Sequence, residues 1–97
     1  MASARKLPRP FEMHWGSGEI VEEATCVGEY HEPTIQLLQY TDGEAAGGFS
    51  VRFCSYNHRG SFQRSPLMVG QPEIDGLRKA LQGTPRLRDL LRQLVAD

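Results

Sequence analysis

The feature that most constrains this chain is a change of hydrophobic period near Gly70. Before it, apolar residues alternate with polar ones, as strands require. The clearest case is Phe49–Tyr56, where Phe49, Val51 and Phe53 alternate with Ser50, Arg52 and Cys54. After Gly70 the spacing becomes helical. Ile74, Leu77 and Leu81 share one face, and Leu87, Leu90, Leu91 and Leu94 follow i, i+3, i+4, i+7. Pro72 sits where a first helical residue would be, and Gly83 where a helix would stop. Thr84 and Pro85 then offer an N-cap and a first residue for a second start.

About four strands precede this switch. Phe11–Trp15 reads as a short strand or a surface segment, and Gly16 and Gly18 within "WGSGE" read as a turn. Glu19–Tyr30 reads as a strand with a bend at Gly28, and Thr34–Thr41 as another with apolar residues on both faces. In "NHRG", Asn57 and Gly60 suit a type I turn followed by a left-handed glycine. The return strand is Ser61–Val69, which Pro66 places at an edge or a bulge. The expected fold is α+β: an antiparallel meander of about four strands, then a broken helix or two short ones.

Ninety-seven residues suit one domain with a small core. Residues 1–10 read as a flexible tail and 11–97 as the domain. No apolar run reaches the roughly 20 residues that span a bilayer. The basic N-terminus lacks the apolar stretch of a secretory signal, so a cytoplasmic location is expected. Cys26 and Cys54 both lie in strand-like runs and read as buried free thiols.

Catalytic motifs are not found. There is no phosphate loop, GxSxG elbow or HExxH. His14, His31 and His58 lie in three segments, and no two ligand-type residues have zinc spacing. Glu22 and Glu23 are adjacent, so on a strand they point to opposite faces. Cys54 and His58 could pair at a strand end, but no third group orients them. The chain reads as non-enzymatic, with no cofactor and no metal.

The net charge of −1 conceals an asymmetry. Residues 1–48 hold three basic and eight acidic side chains, and residues 49–97 hold eight basic and four acidic. The run Phe49–Arg64 has three arginines, a histidine, four aromatics and no acid. A basic, aromatic strand pair suits single-stranded nucleic acid, with rings stacking on bases and arginines meeting phosphates. Arg52, Tyr56, Phe62 and Arg64 would share one face of the hairpin, with Arg59 at its turn. The order "FSVRFCSYNHRGSFQRSPLMVGQPEIDGLRKAL", within residues 49–94, resembles the single-stranded-DNA-binding domain of the positive-cofactor-four family. The likeness is one of plan: strand, basic turn, strand, a proline–glutamate helix start, leucine-rich helix. It implies a curved sheet that binds single-stranded DNA near Arg52, Tyr56, Arg59 and Arg64, and dimerisation through the helices. This chain departs from that plan in lacking lysine-rich character, in a first strand that is acidic at Glu19, Glu22, Glu23 and Glu29, and in the helix break at Gly83–Thr84–Pro85.

Two functions are therefore expected. One is sequence-nonspecific single-stranded nucleic-acid binding, associated with transcription, through Arg52, Tyr56, Arg59, Phe62 and Arg64. The alternative is a small interaction or structural domain that dimerises or binds a partner through Leu87, Leu90, Leu91 and Leu94.

Overall fold

A computed structural model describes residues 5–63 and 66–96. Five strands precede two helices: β1 Arg9–Met13, β2 Gly16–Thr25, β3 Glu32–Gly43, β4 Phe49–Tyr56, β5 Leu67–Gly70, α1 Gln71–Leu81 and α2 Pro85–Val95. The strands form one antiparallel sheet in the order β1-β2-β3-β4-β5, so each pairs with its neighbour in sequence. This is the expected α+β meander with one more strand, and both helices follow Gly70. No helix among the described residues is long and apolar enough to cross a membrane.

The turn between β4 and the return segment forms as its sequence asks. Gly60 has φ +87°, which a residue with a Cβ adopts at a cost. The Asn57 side-chain oxygen accepts from the backbone N–H groups of Arg59 and Ser61, both at 2.9 Å. Tyr56 bridges to Phe62, but Phe53 pairs with Leu67, so the register slips by two residues in between. Pro66 falls in that slip, where a missing N–H costs nothing.

Several boundaries differ from expectation. Gly16 and Gly18 lie inside β2, and the turn is at His14–Trp15. Gly18 is there because β2 and β3 approach too closely for a side chain; a Cβ would lie 1.9 Å from the Gln39 carbonyl oxygen. β2 ends at Thr25, which leaves Cys26 exposed and not buried. Arg9 and Pro10, expected in a tail, open β1, and Arg5 packs on the sheet. The Thr84 hydroxyl does not cap α2. It donates to the Leu81 carbonyl at the end of α1 (3.2 Å), while Glu73 reaches back to accept the Gly70 N–H (2.8 Å).

The sheet has two unlike faces. The front carries the buried apolar cluster of Phe11, Ile20, Leu38 and Tyr40, with Met13, Ala45 and Met68 against it. Phe11 and Tyr40 meet edge to face at 5.2 Å. The back carries Ile35, Leu37, Phe49, Val51 and Phe53, opposite in alternation to the buried residues of β3 and β4, together with Val69 of β5, which is buried. It lies on the side of the helices, yet they do not close over it. An open cavity of about 590 Å³ separates Leu91 and Leu94 of α2 from Ala24, Ile35 and Phe53. A second, about 310 Å³, lies between Ile74 of α1 and Leu37, Phe49 and Val69.

Candidate functional site: a polar front and a bare back

β3 passes through the centre of the front, and its inward residues change character along the strand. Leu38 and Tyr40 join the apolar cluster, whereas Glu32, Thr34 and Gln36 are buried and polar. Burial of such groups demands partners. Gln36, 1 % exposed, is the hub. Its Nε2 donates to Glu23 Oε2 (2.6 Å) and Tyr56 Oη (2.9 Å), and its Oε1 accepts from Arg52 Nε (2.6 Å). Arg9 on β1 reaches over β2 and β3 to donate to Glu23 (2.6 Å) and Tyr56 Oη (3.2 Å). Two register slips in β2, at Ser17/Gly18 and Ile20/Glu22, disturb the ladder and strengthen local twist. Among the described residues every buried side-chain nitrogen or oxygen has a partner.

Electrostatics follow from these contacts. Desolvation pushes the Glu23 carboxyl up, but the hydrogen bonds from Arg9 and Gln36 and the charges of Arg9 and Arg5 outweigh it. Glu23 ends below the ordinary glutamate value of 4.5. Desolvation raises the Cys54 thiol above its ordinary value, against the opposing charge of Arg52, so this thiol is not an activated nucleophile. Among the described residues no three His, Cys, Asp or Glu side chains gather as a metal site.

The hairpin residues expected to bind nucleic acid do meet. The Arg52 guanidinium lies 4.7 Å from the Phe62 ring centroid, and Phe62 meets Tyr56 edge to face at 5.4 Å. Their accessibility differs from a solvated stripe. Arg52 and Tyr56 are buried, Arg52 held by Gln36 and Tyr56 covered by Arg5. Arg59 and Phe62 are exposed, and Arg64 lies outside the described residues. The sequence gives no signal for Gln36, Glu32, Arg5 or Arg9 as members of a site, and Glu23 stands out there only as the neighbour of Glu22. A lone glutamine on an alternating strand looks the same whether it faces water or a buried arginine.

The leucine face is the other expected site. Neither helix contains a buried residue. Leu87, Leu90, Leu91 and Leu94 are 36–62 % exposed, and Ile74 and Leu77 are close to half exposed. Comparison of the chain with known protein families, curated proteins and solved structures finds no match.

Proposed function

We propose that this protein is a non-enzymatic association domain, and that a second copy of the chain covers the back of its sheet and its two helices. The observation that carries this reading is the pair of amphipathic helices without a buried residue, standing over an apolar sheet face. Ile74, Leu77, Leu87, Leu90, Leu91, Leu94 and Phe53 are each more than a third exposed on this side, a contiguous apolar surface of the kind that marks an interaction site. Charge favours self-pairing as well. α2 brings Arg86, Arg88 and Arg92 against one acid, Asp89, while Glu12, Glu19 and Glu22 flank the sheet back on the side of β1 and β2.

Sedimentation equilibrium tests this. The expected result is a dimer at micromolar concentration, with the double variant Leu91→Glu/Leu94→Glu monomeric and its strand circular dichroism unchanged. A wild-type chain that stays monomeric at about 100 µM overturns the reading.

Single-stranded nucleic-acid binding is the second reading. It is supported by the contact of Arg52, Phe62 and Tyr56 on one face, with Phe62 and Arg59 open to solvent. Burial of Arg52 and Tyr56 leaves fewer groups to meet phosphates and bases than the hairpin sequence implies. A salt titration with a labelled mixed-sequence oligonucleotide decides it, and no binding at low salt removes it.

A further inference from the structure

The polar front contains a built pocket on the face opposite the helices. Glu23 of β2 and Glu32 of β3 have carboxylates only 5 % exposed. Tyr56 of β4 pairs with Glu32 in register. Into this corner the Arg5 guanidinium is inserted. Its Cζ lies 3.7 Å from the Tyr56 ring centroid. Nη2 donates to Glu32 Oε1 (3.2 Å), and Nη1 donates to Thr25 Oγ1 (3.4 Å) and lies 3.7 Å from Glu23 Oε1. A planar cation is thus stacked on one aromatic face and held at its edge by two carboxylates and a hydroxyl. That combination matches what a guanidinium needs and a compact ammonium does not use as well.

Walls and occupant come from different parts of the chain. The walls belong to β2, β3 and β4, and they have supports of their own. Glu23 keeps Arg9 and Gln36, and Glu32 keeps His58 Nδ1 at 3.1 Å. Arg5 comes from the segment before β1, whose described residues pair with no strand. Lys6, Leu7 and Pro8 beside it are exposed. The side chain of Arg5, more than its backbone, holds this segment on the sheet.

We infer that Glu23, Glu32, Thr25 and Tyr56 form a guanidinium-binding pocket that takes an arginine side chain from an extended peptide. The chain's own Arg5 fills it here, and an arginine-bearing segment supplied in trans exchanges with Arg5. Occupancy from outside would release the segment before β1 from the front of the sheet.

Chemical rescue tests the pocket. Arg5→Ala and Arg5→Lys are each expected to lower Tm by about 5 °C or more. N-acetyl-arginine amide at 10 mM should restore at least half of that loss. N-acetyl-lysine amide and sodium chloride at the same concentration should not. A direct measurement accompanies it: a fluorescent peptide spanning residues 2–9 should bind Arg5→Ala at least tenfold more tightly than it binds wild type, where Arg5 competes. Adding Glu32→Gln to Arg5→Ala should abolish that binding. Equal rescue by the arginine and lysine compounds overturns the inference. So does equal peptide binding by wild type and Arg5→Ala, or an Arg5→Ala variant that neither loses Tm nor binds the peptide.

Discussion

Replacing Gln36 by Leu tests whether the polar front holds the fold together. The two side chains are similar in size, so the change removes hydrogen bonds without opening a large cavity. Two of the lost bonds are to charged, buried partners: Arg52 Nε at 2.6 Å and Glu23 Oε2 at 2.6 Å. Bonds to charged groups contribute about 1.5–3 kcal/mol each. Glu23 retains Arg9, and Tyr56 Oη retains Arg9 at 3.2 Å, so those partners are not stranded. Arg52 keeps the Phe62 ring and the neighbouring Cys54 thiol, both weaker partners than the lost amide oxygen. Burying a Leu there returns about 1–2 kcal/mol. The net expected loss is about 3 kcal/mol, or a fall in Tm of roughly 10–20 °C for a chain this size. Urea unfolding followed by circular dichroism measures it, with Leu38→Ala on the same face, at about 2–5 kcal/mol, as the yardstick. A Gln36→Leu variant within about 0.5 kcal/mol of wild type, or more stable, refutes the reasoning. Buried ionic networks sometimes do yield to apolar replacement in this way.

The other predictions concern backbone fit and acid sensitivity. Gly18→Ala places a methyl 1.9 Å from the Gln39 carbonyl oxygen, a backbone atom that cannot swing aside, so a loss of about 3 kcal/mol or failure to fold is expected in a thermal melt. Glu23 lies below its ordinary 4.5 when folded, so its stabilisation is complete above about pH 4.5 and is lost as pH falls through the lowered value. Urea midpoints measured from about pH 6 to pH 3 should drop for wild type and drop less for Glu23→Gln.

Local grammar was legible in the sequence, and the direction of packing was not. Pro72, Gly83 and Pro85 marked both helices, and Asn57 and Gly60 the tight turn, because each acts through its own backbone. Alternation separated Phe49, Val51 and Phe53 from Arg52 and Tyr56, but it could not say which set is covered. The apolar set faces a sheet back that the helices leave open, and the polar set is the buried one. That inversion depends on partners far apart in sequence: Arg9 with Tyr56, and Gln36 with Arg52. No window along one strand contains both members of such a pair. β1 was blurred for the same reason, since Pro10 argues against a strand unless it is known to lie on an edge.

The matching of strand order to chain order bears on how the protein is made. Each strand pairs with the one synthesised just before it, and hairpins of this kind close in about 1–10 µs. Synthesis at roughly 5–20 residues per second is far slower, so pairing can keep pace with the growing chain. The sheet is complete once Gly70 has emerged, before either helix exists. Its apolar back is therefore bare for on the order of a second or more, until the residues of α1 and α2 have been added. That interval is when the nascent sheet most needs shielding from its neighbours.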